Sequence, residues 1–283
     1  MECARCGEAT VDTPCRVCGE DPRLDGRYRL LEPIGRGASG NTWRARDERT
    51  GQVVAIKEML LSRASSAKTR ELWEREVRVL QQLDHPQIPR YVDSFEAGRG
   101  RTRSLCLVQE LVEGRTLEEE MRRRRYSEDD ALAVARGLAP VLDYLHGLQP
   151  PVVHRDLKPS NVIRARDGRL VLIDFGAVRD ALADAQLGGS TVAGTFGYMA
   201  PEQFRGDAGP ATDAYALGGL LVTLLTRMPP HRLLDPRGHL VWQPHCRVSP
   251  ATAHLVDSLL QADPADRPTG AFEMERTLAL GPP

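Results

Sequence analysis

The chain has 283 residues, 41% of them hydrophobic and 27% charged, with a formal net charge of −1. That balance is ordinary for a globular protein and gives no overall field that would draw nucleic acid or an anionic membrane. Its longest apolar run, about residues 214–225, is interrupted by Gly218 and Gly219 and is too short to span a bilayer. No secretory pattern opens the sequence, so a cytoplasmic, reducing setting is expected.

Residues 1 to about 24 hold four of the six cysteines and show no apolar periodicity. Cys3-x-x-Cys6-Gly7 and Cys15-x-x-Cys18-Gly19 are two copies of one turn. Each sets two thiolates on a tight loop, and its glycine lets backbone N–H groups turn toward sulfur. Four thiolates satisfy a closed tetrahedral zinc site. Iron or a redox pair, and disulfides, are the alternatives, and a reducing setting weighs against the last. So few apolar residues cannot fold the segment alone, so a metal must supply the folding energy. Chelation is therefore expected to unfold this segment and spare the rest.

A continuous globular pattern runs from Tyr28 to about Leu280, without a long linker or internal repeat. Alternation predicts strands over 28–35, 42–46 and 53–58. A helix follows over 66–83, with Leu72, Val79, Leu80 and Leu83 as its apolar stripe, and His85-Pro86 ends it. Strands are predicted over 91–95 and 105–110. After Gly114 the pattern turns helical, over 116–124, 128–146, 211–226 and 250–261, with a strand at 170–173. Cys106 and Cys246 read as packing residues. Arg122 to Arg125 read as a solvated face, partly neutralised by Asp129 and Asp130.

Gly35-Arg36-Gly37-Ala38-Ser39-Gly40 lies between two predicted strands. A dinucleotide fingerprint would open a helix. Here Thr42-Trp43-Arg44 continues as strand, which fits a glycine hairpin covering phosphates with backbone N–H groups. Val54-Ala55-Ile56-Lys57 then places an ammonium on the third strand, and the helix after it offers Glu76, with Glu74 second. A Lys held by a Glu can be aimed at the α- and β-phosphates of a nucleotide. In His154-Arg155-Asp156-Leu157-Lys158-Pro159-Ser160-Asn161, Asp156 can accept a hydroxyl proton and Asn161 can hold a metal. Asp174-Phe175-Gly176 offers a second metal ligand, and Ala200-Pro201-Glu202 closes the next segment.

In this order and spacing the motifs resemble those of bacterial, eukaryotic-like (Hanks-type) Ser/Thr protein kinases, over about residues 27–281. The resemblance implies an α+β, two-lobed protein kinase fold. A zinc-ribbon-like module, similar to those at the amino termini of some bacterial proteins, would occupy 1–24, and the kinase domain 25–281. The strand-rich N-lobe would be about 27–110 and the helical C-lobe about 111–281. ATP with Mg²⁺ or Mn²⁺ is implied, and structural Zn²⁺ for the cysteines. Ile34, Gly35, Gly37, Gly40, Thr42 and Ala55 would surround the nucleotide, with Gln109 as gatekeeper and Glu110 and Val112 as the hinge. Lys57, paired with Glu76, would bind phosphates. Asp156 would orient the substrate hydroxyl, Lys158 steady the γ-phosphate, and Asn161 and Asp174 hold the metal. Thr195 would hydrogen-bond Asp156 and Lys158, and His154 would be structural. Glu202 and Arg267 resemble the buried ion pair beneath the substrate platform. Thr191 is expected as the activating phosphosite, with Arg155 as its receiver.

Two positions depart from the family. Thr42 stands where Val is usual, and Asp213-Ala214-Tyr215 keeps the loop-bracing Asp with altered neighbours. The implied partners are protein substrates bearing Ser or Thr, with room for self-association in trans-autophosphorylation. A nucleotide-binding pseudokinase scaffold is the alternative, and a small-molecule phosphotransferase a further one that the 174–202 segment disfavours. Composition speaks for catalysis. Among 38 Lys and Arg, lysine occurs only at 57, 68 and 158, and asparagine only at 41 and 161. Where Arg has displaced Lys nearly everywhere, two of the three survivors stand where a compact point charge is needed rather than a planar fork.

Overall fold

The computed structural model describes residues 2–4, 6–37, 40–60, 67–98, 103–175, 195–235 and 239–281. Ala38, Ser39, Gly176, Thr191 and Gly194, and the side chain of Leu72, lie outside what is described. The chain forms two compact units, Met1–Asp84 with Pro89–Val112, and His85–Ile88 with Glu113–Pro283. The first therefore runs two residues past the expected lobe boundary and includes the cysteine segment. The His85–Ile88 turn goes with the second, because Gln87 Nε2 donates to the Gly137 and Leu170 carbonyls at 2.5 and 2.9 Å.

In the first unit, β1 (Tyr28–Gly37), β2 (Gly40–Asp47), β3 (Val53–Leu60), β4 (Tyr91–Ala97) and β5 (Ser104–Glu110) form one antiparallel sheet, ordered β1-β2-β3-β5-β4. α1 (Ala67–Gln82) connects β3 to β4. Alternation sets the two faces of the sheet. Leu30, Trp43, Ala45, Val54, Ile56, Cys106 and Val108 turn to one side and join Leu24, Tyr28 and Ala97 in a buried core. Ala55 and Lys57 point to the other. Leu105 and Leu107 are buried as well, so β5 is covered on both faces. The expected packing role of Cys106 matches its complete burial, whereas Cys246 is half-buried.

The glycine segment is more regular than expected. β1 runs on to Gly37, which pairs with Gly40 at the start of β2. Gly40 has φ +129°, and a Cβ there would lie 2.0 Å from the Glu58 carbonyl oxygen. No side chain fits so close to β3.

The second unit holds a small antiparallel sheet of β6 (Gly114–Thr116), β7 (Val162–Ala165) and β8 (Leu170–Leu172). Around it stand α2 (Leu117–Arg123), α3 (Glu128–Gly147), α4 (Pro210–Thr226), α5 (Pro250–Leu259) and α6 (Gly270–Leu280). α4 is buried nearly all round, as an apolar helix without a polar face must be. A Cβ on Gly218 would come within 3.0 Å of Leu259 and Leu260, so glycine there lets α5 approach closely. β6, β7 and α6 were not anticipated. β6 has three residues and β7 four, too few for a period-two signal. α6 buries only Met274 and leaves Phe272 and Leu280 exposed.

In the arginine run, Arg122 meets Glu118, and Arg124 meets Glu120 and Asp130 while lying over the Tyr126 ring. Arg123 and Arg125 are exposed. Among the described residues, no helix is long and apolar enough to cross a membrane.

Candidate active site

In the second unit, the segment 154–161 and Thr195 build one polar cluster around Asp156. Lys158 Nζ donates to Asp156 Oδ2 at 2.6 Å and to Thr195 Oγ1 at 2.5 Å. Thr195 Oγ1 donates in turn to Asp156 Oδ1 at 2.8 Å. Asn161, buried on a short helical turn, donates Nδ2 to the Asp156 carbonyl at 2.8 Å and to Oδ2 at 3.0 Å. An ionised carboxylate has about four acceptor positions. The donors named here occupy two on Oδ2 and one on Oδ1, leaving a position on Oδ1. The carboxylate is thus pinned in one orientation yet still able to accept a further donor.

Two residues of this region, Arg155 at φ 67° and Asp174 at φ 65°, have left-handed backbone that is costly for a side-chain-bearing residue. For Arg155 the compensation is visible. Asp213, fully buried on α4, accepts from the backbone N–H of His154 and of Arg155, both at 2.8 Å. Gln203 Nε2 donates to the Arg155 carbonyl at 2.9 Å. Asp213 also meets His146 Nε2 on α3 at 2.8 Å. Burial pushes the Asp213 carboxyl up, but His146 and the Arg155 N–H outweigh it and hold the group below the usual carboxylate range. His146 carried no motif; only its place at the end of an apolar helix pointed to it.

His154 is fully buried and takes the structural part expected of it. Its Nδ1 accepts from the Asp156 N–H at 3.3 Å, so the ring proton sits on Nε2, which reaches the Ile173 carbonyl at 3.2 Å. The ring meets Phe175 edge-on, with centroids 4.9 Å apart.

Glu202 and Arg267 form a buried pair with two contacts, 2.6 and 2.9 Å. Thr212 Oγ1 donates to Glu202 Oε1 at 3.0 Å, a partner the motifs did not indicate. Arg267 also donates to the carbonyls of Ala211, Gln261 and Ala262, and lies 5.0 Å from the Tyr215 ring centroid. The aromatic ring at position 215 thus packs on the guanidinium. Burial pushes the Glu202 carboxyl up, and Arg267 overrides it and holds the group below its ordinary value.

The remaining expected residues belong to the first unit. Register sets Thr42 opposite Lys57, and Ala55 opposite Gln109. Glu76 is buried at 4% exposure, whereas Glu74 is exposed. Gly35 adjoins Thr42, Ile34 is 48% exposed, and Val112 is half-buried. The Glu110 carboxylate accepts from Arg90 Nε at 3.1 Å and the Glu110 N–H donates to the Arg90 carbonyl at 2.9 Å.

The four amino-terminal cysteines converge in the same unit. All four sulfurs lie within 4.8 Å of one another, with Cys3–Cys18 at 3.8 Å and Cys6–Cys15 at 3.9 Å. The two knuckles repeat each other, Gly7 N–H donating to the Cys3 carbonyl and Gly19 N–H to that of Cys15. Backbone N–H groups of Cys18 and Val17 stabilise the Cys15 thiolate and lower its pKa to about 6. A tetrahedron with Zn–S bonds of about 2.3 Å has edges of about 3.8 Å, so the sulfurs fit such an ion.

An amide oxygen on Asn161 and a carboxylate on Asp174 are hard ligands of the kind Mg²⁺ takes. Asn161 commits its Nδ2 to Asp156, and its Oδ1 accepts from Ser160 Oγ at 3.4 Å. A divalent cation held there would neutralise charge on phosphate oxygens.

The protein kinase domain family matches residues 28–278. Serine/threonine-protein kinases B and C of Synechocystis sp. are each 34% identical to the chain, over 87% and 90% of it and 45% and 50% of their own length. Serine/threonine-protein kinase PknA of Nostoc sp. is 34% identical over 91% of the chain and 48% of its own length. The chain thus spans about half the length of these curated relatives. A match over nearly the whole globular segment, on a sheet-built unit and a helical unit carrying the cluster around Asp156, has one reading: the chain belongs to the protein kinase family.

Proposed function

We propose that the chain is an ATP-dependent Ser/Thr protein kinase, transferring the γ-phosphoryl group to Ser and Thr hydroxyls of protein substrates with Mg²⁺ or Mn²⁺. The observation that carries this reading is the Asp156 carboxylate, pinned by Lys158, Thr195 and Asn161 with one acceptor position left on Oδ1. A substrate hydroxyl donating there is oriented for attack and can lose its proton to the carboxylate. Lys158 carries positive charge to the transferred group, and Asn161 with Asp174 holds the metal. Lys57, oriented by Glu76, binds the α- and β-phosphates, beneath Ile34, Gly35, Gly37, Gly40, Thr42 and Ala55. The backbone of Glu110 and Val112 meets adenine. The relatives' names as Ser/Thr kinases support the residue class.

The remaining roles belong to the same reading. Residues 1–24 form a structural zinc module before a kinase domain at 25–281, with Cys3, Cys6, Cys15 and Cys18 as ligands. Thr191 is the activating phosphosite and Arg155 its receiver, reached by self-association and trans-autophosphorylation in the cytoplasm. Incubation with radiolabelled ATP and a generic substrate, then phosphoamino-acid analysis, tests the central claim. Label on Ser and Thr is expected. Nucleotide binding without transfer would make the chain a scaffold instead. Lys57→Arg should cut transfer despite keeping the charge, because a planar fork cannot replace a compact ammonium.

A further inference from the structure

The cysteine segment does not stand apart from the sheet. No linker separates it from β1: Leu24 and Tyr28 exchange N–H···O bonds of 2.8 and 2.9 Å across a turn whose Asp25 and Gly26 have positive φ. Leu24 is itself part of the core beneath the sheet, and Ala4, inside the first knuckle, packs against that core. The Glu2 N–H donates to the Leu30 carbonyl on β1 at 3.3 Å, and the Ala4 N–H to Pro22 at 2.9 Å.

Side chains add a second set of ties. Arg29 on β1 donates to Thr13, between the two knuckles, at 3.2 Å and to Glu48 at 2.5 Å. Glu48, in the turn between β2 and β3, also receives Arg23 at 3.1 Å. The segment thus packs on the core side of the sheet through Ala4 and Leu24, while Arg23 and Arg29 meet at Glu48 in the β2–β3 turn. β1 is the strand that carries Ile34, Gly35 and Gly37.

We propose that the four-cysteine module is a metal-dependent part of the nucleotide-binding unit, so that ion occupancy sets the stability of β1 and β2. This rests on the zinc reading above and departs from the expectation that chelation would spare the kinase domain. The segment has too few apolar side chains to keep Ala4 and Leu24 in place by itself; the ion holds the knuckles, and the knuckles cover the core.

The test uses the full chain. Metal content is measured first, then amide hydrogen exchange with and without a zinc chelator. Exchange of β1 and β2 amides should quicken by about tenfold or more on metal removal, with α4 unchanged. An Ala4→Asp variant, which sets a charge against the core, should keep its zinc and show the same quickening. Arg29→Ala should show a smaller effect in the same amides. Protein purified without metal would overturn the zinc reading and this proposal with it. Zinc-loaded protein whose β1 and β2 exchange is unmoved by chelation, or by both substitutions, would overturn this proposal alone.

Discussion

The loop around Asp156 and the cysteine module are both short irregular segments held in demanding conformations, and they are held differently. Around Arg155 the chain supplies its own brace: one buried carboxylate from α4 takes two consecutive backbone N–H groups. In the module the groups that converge are four sulfurs that repel once ionised, and in the zinc proposal a cation is what makes them attractive. A loop of the first kind is ordered whenever the helices beneath it are folded. Under the zinc proposal, one of the second kind adds a dependence on something outside the chain, and through Ala4 and Leu24 it would pass that dependence to a sheet.

The sharpest way to break the comparison is at the loop's chemical end. Asp156→Asn should lower phosphoryl transfer about 10²- to 10⁴-fold while nucleotide binding by calorimetry stays close to wild type. Transfer at the wild-type rate would remove Asp156 from its role and the loop from one side of the contrast.

Next in size are the buried charges that hold the loop and its platform. Glu202→Gln leaves the Arg267 guanidinium, whose side chain is fully buried, without its counter-charge. That should cost about 3–5 kcal/mol in denaturant unfolding. The pH dependence follows from the lowered carboxyl of Glu202. Its folded-state pKa lies below the unfolded one, so its stabilisation is present at neutral pH and lost as pH falls through the folded value. Glu202→Gln should therefore flatten the acid side of a plot of melting temperature against pH. An unchanged acid slope would deny that this pair contributes there.

Asp213→Asn keeps the shape of the brace but removes its charge. A cost of about 1–3 kcal/mol is expected, together with a drop in transfer rate, since an amide keeps one acceptor oxygen and leaves one of the two N–H groups, of His154 or of Arg155, facing an NH2 instead. A drop in stability with no change in rate would mean that the brace holds the helices rather than the loop.

The smallest expected effect is at Thr191. Thr191→Ala should lower activity toward an added substrate several-fold, phosphate should be found on Thr191 ahead of Ser190, and adding Arg155→Ala should make the loss no worse. Two added charges and their paired bonds to a guanidinium explain a change of that size. Full activity in Thr191→Ala would leave Asp213 and Gln203 as the loop's organisers.

Much of this protein was legible without coordinates, for a reason that residues 154–161 illustrate. Asp156, Lys158 and Asn161 lie within one turn of chain, so chain geometry alone brings them together. The Cys-x-x-Cys pairs and the strand that carries Lys57 are legible for the same local reason, as is the apolar character of α4. What tertiary structure decided are meetings between residues distant in the chain: His146 with Asp213, Thr212 and Tyr215 about the Glu202–Arg267 pair, and Gln87 spanning to Gly137 and Leu170. The partner of each of those side chains is set only by how helices and strands pack. The cysteine module shows the division within a single segment. Its paired Cys-x-x-Cys turns follow from spacing, because two sulfurs on one tight turn are a local matter. Its docking on the sheet through Ala4, Leu24, Arg23 and Arg29 does not, because burial of a small apolar patch depends on which surface folds against it.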